Sequence, residues 1–248
     1  MNFLDFPLQE GTVSSCAQDL IEGVKKGNRY FVLTLNSLIV YEYLHNEEYK
    51  KALKKVNYVV PDGSGVIKAV KLLYKRNLNR IPGIELMQEI CAQSSKKGFK
   101  IYFLGAEEGI AQRAVTNLKE KFPELKVVGF RNGFFSDKEN AKIVNDINQS
   151  NADFLFVGMG VPKQEIWISR NWEKLGVSLA MGVGGSFDVL AGKVVRAPKW
   201  MQRHGLEWCF RILQEPRKRL KVVPKLLSFA LYVLKSNFRE KRGESRDY

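Results

Sequence analysis

The sequence is poor in the residues that hold metals and covalent staples. Its three cysteines, Cys16, Cys91 and Cys209, stand far apart and form no Cys-x-x-Cys pair. That argues against a disulfide framework or a thiolate zinc site and points to a reducing compartment. His45 and His204 are the only histidines, so a histidine-built metal centre has little basis. No Asp-x-Asp occurs, which removes the usual acidic device for holding a divalent ion against a nucleotide diphosphate. The opening Met1-Asn2-Phe3-Leu4-Asp5-Phe6 has neither a basic n-region nor a long apolar h-region, so no signal peptide is expected. The apolar run at 226–234, between Lys225 and Lys235, falls far short of the roughly 20 residues that span a bilayer.

What is present is enough for one substantial core. With 248 residues, 45% of them hydrophobic, the chain reads as an ordinary globular protein with room for an appendage. Apolar runs alternate with helical patterns over 28–190, the signature of βαβ units and a largely parallel sheet. Strands are expected over 29–36, 58–60, 100–105, 127–130 and 153–158, with a last one opening the stretch 178–188 and helices between them. Ser136, followed by Glu139, has capping-box spacing for one of those helices.

Several strand ends carry chemistry. Tyr58-Val59-Val60 stops on Pro61-Asp62-Gly63, which places Asp62 at the edge of the sheet where open α/β folds bind ligands. The same tripeptide is a common turn, and both readings stay open at this point. Thr34 and Asn36 end another strand near the same edge, and Arg80 stands in a following loop as a fixed cation. Gly158-Met159-Gly160-Val161-Pro162-Lys163-Gln164-Glu165 resembles half of a dinucleotide fingerprint. Its sixth position is Lys163 instead of glycine, and no acidic residue follows at the expected distance, so NAD binding is disfavoured. Lys163 and Gln164 at a helix start suit a phosphate instead, the alternative being a tight turn that binds nothing. Gly182-Val183-Gly184-Gly185-Ser186-Phe187-Asp188 is a second glycine-rich exit. Consecutive N–H groups at Gly184 and Gly185 suit an anion, and Asp188 suits the imide of a base.

The net charge of +14 is uneven: from Lys193 onward 15 Lys and Arg face only 5 Asp and Glu. Such asymmetry points to an anionic partner for the tail, either a membrane surface or nucleic acid. Trp200, Trp208, Phe210, Ile212 and Leu213 interleave with its basic residues, as in a helix lying at a membrane surface. Lys225 and Lys235 would then snorkel toward headgroups. A packed helical appendage with a solvated basic face is the plainer alternative. A nucleic-acid module would carry a similar tail, but it has no use for two glycine-rich exits and a carboxylate edge.

Taken in order, Thr34-Leu35-Asn36, Pro61-Asp62-Gly63, Arg80-Ile81-Pro82-Gly83, Phe103-Leu104-Gly105 and the two glycine exits resemble the WecG/TagA/CpsF glycosyltransferase family. The resemblance continues through Arg196-Ala197-Pro198-Lys199-Trp200-Met201-Gln202 and Gly205-Leu206-Glu207-Trp208 to Gln214-Glu215-Pro216-Arg217. It implies a Rossmann-like, mostly parallel α/β core over 1–192 and a basic, helical, membrane-associating appendage over 193–248. It further implies inverting transfer of a sugar, often N-acetylmannosamine or its uronic acid, from a UDP donor to polyprenyl-diphosphate-linked N-acetylglucosamine, with no metal or other cofactor. By the same resemblance Asp62 is the general base, and Thr34, Asn36, Arg80 and Gln164 line the catalytic site. The UDP-sugar is expected at Gly105, Gly158, Gly160, Lys163, Gly184, Gly185, Phe187 and Asp188, and the acceptor's diphosphate at Arg211, Arg217 and Arg219. Peripheral attachment at the inner face of the cell membrane follows, with self-association open and no nucleic-acid partner. An ordinary carboxylate, with a pKa of about 4, is ionised at neutral pH, so Asp62 is expected to need no special tuning.

Overall fold

A computed structural model describes residues 1–241, so the last seven positions of the appendage lie outside the described residues. The chain opens with a two-stranded antiparallel ribbon, β1 (Asn2–Phe3) and β2 (Phe6–Pro7), and helix α1 (Val13–Lys25). There follow β3 (Tyr30–Leu35), α2 (Ser37–His45), α3 (Glu47–Leu53), β4 (Tyr58–Pro61), α4 (Ser64–Tyr74), α5 (Gly83–Lys97), β5 (Lys100–Gly105), α6 (Ile110–Lys121) and β6 (Lys126–Arg131). The core closes with α7 (Asn140–Gln149), β7 (Phe154–Gly158), α8 (Lys163–Asn171), β8 (Leu179–Gly182) and the short α9 (Ser186–Leu190). Ser136 and Glu139 do form a capping box, which leads through one 3₁₀ turn into α7.

The six long strands make one all-parallel sheet in the order β4-β3-β8-β7-β5-β6. Both faces are covered, which is why the strands read as unbroken apolar runs. Alternation along each strand divides the core. In β7, Phe154 and Phe156 join α1, α5, α6 and α9 on one face, while Leu155 and Val157 join α7 and α8 on the other. In β3, Val32 faces the first layer, whereas Leu33 and Leu35 meet α2, α3 and α4. The helices that follow the neighbouring strands β3 and β8 therefore pack on opposite faces. Such a switch in direction is what leaves a crevice at the carboxyl edge of an open parallel sheet, the position where ligands bind.

After β8 the chain forms α10 (Lys199–His204), α11 (Glu207–Gln214), α12 (Pro216–Arg219) and the long α13 (Val223–Lys241). The inner face of α13 is part of the core: Phe229 and Val233 are 6% exposed and share an apolar cluster with α2 and α4. Lys225, expected at a lipid headgroup, instead reaches the nearly buried Glu42 at 2.6 Å and lies over the Tyr41 ring. The ammonium compensates a carboxylate whose burial would be costly if it were left unpaired. The outer face of α13 exposes Leu227, Leu231, Leu234 and Phe238, a stripe at helical spacing. No helix among the described residues is long and apolar enough to cross a membrane.

Candidate active site

Every polar strand end singled out above lies on the carboxyl edge, but the side chains divide into those that face the crevice and those that hold it together. Asp62 follows β4 directly. Its N–H and that of Gly63 both donate to the Leu35 carbonyl, at 3.0 and 3.1 Å, so the end of β3 clamps the turn. Gly63 is needed there because a Cβ would stand 2.9 Å from Asn36 Cα. The Asp62 side chain is packed deeply yet keeps 23% of its surface open.

Arg80 reaches this carboxylate from the loop before α5. Its Nε donates to the Asp62 carbonyl at 2.5 Å and Nη2 lies 3.6 Å from Asp62 Oδ1. The same Nη2 donates to Glu207 Oε2 at 2.9 Å, and Glu207 Oε1 lies 3.4 Å from Arg211 Nη2. Asp62, Arg80, Glu207 and Arg211 thus alternate in sign across the seam between core and appendage. Two further contacts close that seam: Ser64 Oγ donates to the Gly205 carbonyl at 3.3 Å, and Arg196 pairs with Glu85 at 2.5 Å. In the sequence Glu207 stands only inside its motif, with no role of its own; its partner is 127 positions away and no local pattern links the two.

The cluster changes the ionisation of its members. Burial pushes the Asp62 carboxyl above the ordinary carboxylate value; Arg80 opposes this, Glu207 adds to it, and the Gly83 N–H and Arg211 oppose it. Glu207, with two guanidinium partners, ends below its ordinary value despite its own burial.

Thr34 and Asn36 sit at the site but work inward. Thr34 is 6% exposed, and its Oγ1 donates to the Gly182 carbonyl at 3.3 Å, joining β3 to β8 beneath the crevice. Asn36 caps α2, its Oδ1 accepting from Leu38 and Ile39 N–H at 3.0 and 3.1 Å.

Gln164 corrects a larger expectation. It is 1% exposed, and its Oε1 accepts from Gly160 N–H at 3.1 Å and from Gly184 N–H at 2.9 Å. The amide is a staple between the two glycine exits, so it does not face a phosphate, and those two N–H groups are already occupied. Phe187 is another correction: it is wholly buried against Phe103, with ring centroids 5.5 Å apart, and offers no face to a substrate. Gly105 and Gly158 serve backbone packing. A Cβ on Gly105 would lie 2.5 Å from Gly158, and one on Gly158 would lie 2.9 Å from Phe187. Gly160 and Gly184, both at positive φ, border open space, and Lys163 is exposed at the start of α8. Asp188 lies 3.6 Å from Lys193, which also binds Glu107 at 2.7 Å. Of the expected acceptor arginines, Arg211 belongs to the Asp62 cluster and Arg217 is exposed. Arg219, paired with Glu215 at 3.3 Å, reaches within 3.8 Å of where a Gly185 Cβ would stand.

Beyond β5 and β6 lies a shallow cleft of about 410 Å³, lined by Glu107, Glu108, Asn132 and the exposed Phe134. No group of three or more His, Cys, Asp or Glu placed to hold a metal ion occurs among the described residues.

A second carboxyl is also pushed toward its neutral form. Burial pushes Glu165, beneath the glycine exits, from the ordinary 4.5 to about 7, although hydrogen bonds from Gln164 and its own N–H, and the neighbouring Tyr49 phenol, pull it down. An acid whose folded pKa lies above its unfolded one contributes stability that is fully present below the unfolded value and lost as pH rises through the folded one. The wild-type melting temperature is therefore expected to fall between about pH 4.5 and 7 relative to that of Glu165→Gln. Parallel melting curves across that window would refute the assignment.

The family model for the WecG/TagA/CpsF glycosyl transferases matches residues 1–243. This chain belongs to that family. Among the relatives it resembles is N-acetylglucosaminyldiphosphoundecaprenol N-acetyl-beta-D-mannosaminyltransferase of Bacillus subtilis strain 168, 32% identical over 212 residues, covering 85% of this chain and 81% of that one. The protein of the same name from Staphylococcus aureus strain MW2 is 35% identical over 199 residues, covering 79% and 78%. The crevice with its carboxylate and guanidinium is accordingly the candidate centre of a glycosyltransferase.

Proposed function

We propose that this enzyme transfers N-acetylmannosamine from UDP-N-acetylmannosamine to polyprenyl-diphosphate-linked N-acetylglucosamine, inverting the anomeric centre. The observation that carries this reading is Asp62, a partly open carboxylate at the carboxyl edge with Arg80 against it, in a family whose named relatives carry that acceptor and that sugar in their names. An acceptor hydroxyl attacks the anomeric carbon while the bond from that carbon to the UDP oxygen breaks. The hydroxyl proton passes to Asp62, and UDP leaves with the bonding pair. Arg80 meets the negative charge that develops on the leaving diphosphate. Arg219, over Gly185, suits the donor's diphosphate, and the exposed Arg217 and Lys163 suit further phosphate oxygens.

The appendage would dock the crevice against the bilayer. Leu227, Leu231, Leu234 and Phe238 supply the apolar stripe, with Trp200 and Trp208 exposed nearer the site. Deleting residues 193–248 would strip Phe229 and Val233 from the core, so point changes on the outer face are the sounder test. Leu231→Glu with Phe238→Glu should reduce co-sedimentation with anionic liposomes by about tenfold or more, with turnover on a soluble short-chain acceptor unchanged. Undiminished liposome binding would reject the docking surface.

The reaction itself is tested by supplying each of several UDP-sugars with a lipid-linked N-acetylglucosamine analogue and measuring UDP release. UDP-N-acetylmannosamine should turn over fastest. Preference for UDP-glucose or the mannosaminuronate donor would reassign the sugar and keep the mechanism, whereas no turnover in a folded sample would sink the enzymatic reading.

A further inference from the structure

We propose that Glu165 is a positioning residue for the donor site: it fixes the amide of Gln164 and so sets the separation of the two glycine exits. This rests on those exits receiving the donor, as proposed above.

An amide side chain is nearly symmetric in shape, but its two ends have opposite hydrogen-bonding roles. Gln164 must present oxygen, not nitrogen, to the N–H groups of Gly160 and Gly184. Turned over, it would set two donors against two donors and lose both bonds. What selects the correct orientation is the group on the far side. Gln164 Nε2 donates to Glu165 Oε1 at 2.6 Å; an ionised carboxylate is acceptor-only, and the protonated acid still offers its carbonyl oxygen to the same N–H.

The surroundings are built around this contact. Gly182, the last residue of β8, has no room for a side chain: a Cβ there would stand 2.5 Å from Gln164 Nε2 and 2.6 Å from Glu165 Oε1. Glu165 is 1% exposed and Tyr49, from α3, is fully buried beside it. The phenol and Glu165 Oε2 interact electrostatically, without closing a hydrogen bond of ordinary geometry. Glu42, on α2, is the other charged group felt by Tyr49. Burying an ionisable carboxyl with one oxygen unpaired is expensive, and an apolar residue of similar size would stabilise the fold at least as well. Stability alone therefore does not explain glutamate at this position; orienting Gln164 does.

The test compares Glu165→Leu, Glu165→Asp and Glu165→Gln with wild type, using calorimetric UDP affinity and the melting temperature at one pH. Leucine removes the acceptor, and aspartate withdraws it by one methylene while keeping the charge. Both should weaken UDP binding by about tenfold, the equivalent of about 1.4 kcal/mol. The melting temperature of Glu165→Leu should be equal to or above that of wild type. Glutamine keeps a carbonyl acceptor within reach and should bind UDP within about threefold of wild type. Unchanged UDP affinity in Glu165→Asp, which should fold even if leucine does not, would overturn the proposal. So would affinity and melting temperature falling together in all three variants, the mark of a merely structural role. Wild type failing to bind UDP would instead count against the donor assignment itself.

Discussion

Asp62→Asn is expected to lower turnover by about 100-fold or more while leaving UDP affinity within a few-fold of wild type. The carboxamide has the shape of the carboxylate but no useful proton affinity. The backbone contacts that place this residue are untouched: its N–H still donates to Leu35, and its carbonyl still accepts from Arg80 at 2.5 Å. Arg80 also keeps Glu207, so the cation stays in place although one ionic neighbour is gone. In wild type, the acid limb of kcat/KM should lie above the ordinary aspartate value of 3.8, since burial raises this carboxyl more than Arg80 lowers it. Below that limb the base is protonated and the rate falls. The variant should lose the limb along with the rate; wild-type turnover in Asp62→Asn would place the base elsewhere.

Arg80→Ala should cost about 100- to 1,000-fold in kcat, the range seen when one group that stabilises developing negative charge is removed. It should also move the acid limb of the residual activity toward higher pH. The sign follows from the neighbours: Arg80 lowers the Asp62 pKa and Glu207 raises it, so removing the guanidinium leaves two carboxylates facing each other with the cation gone. Arg80→Lys separates the two effects. One ammonium restores part of the charge and should bring the limb back toward wild type. It cannot span the Asp62 carbonyl and Glu207 Oε2 as the planar fork does, so kcat should remain depressed. A limb that stays in place in Arg80→Ala would mean that the base lies outside this cluster. Because the change uncovers partly buried carboxylates, the melting temperature is measured alongside to confirm a folded sample.

The pairing of Arg80 with Glu207 gives the appendage a part in the proposed chemistry. Arg80 sits in a core loop and Glu207 in α11, and the latter contributes to the electrostatics of the proposed base. Docking of the appendage through Ser64, Glu85 and Arg80 therefore bears on the pKa of Asp62 as well as on the shape of the crevice.

The strands, their direction and the edge on which Asp62, Asn36 and the glycine exits meet were determined by the sequence alone. Unbroken apolar runs ending on Pro61-Asp62-Gly63 or on glycine have few ways to fold other than as parallel strands buried on both faces, with turns at one edge. Which way each edge side chain points was a matter for tertiary structure. Gln164 and Lys163 are neighbours in one motif, yet one is stapled under the loops and the other faces solvent. Phe187 follows a glycine-rich exit but falls on the core side of α9, against Phe103. Lys225 is one of many basic residues in the tail, and it turns inward because α13 brings it to Glu42, 183 positions earlier. The raised pKa of Asp62 has the same origin. Its causes are burial and charges contributed by Arg80, Glu207 and Arg211, and Coulomb and desolvation energies depend on distances that only the packed chain defines.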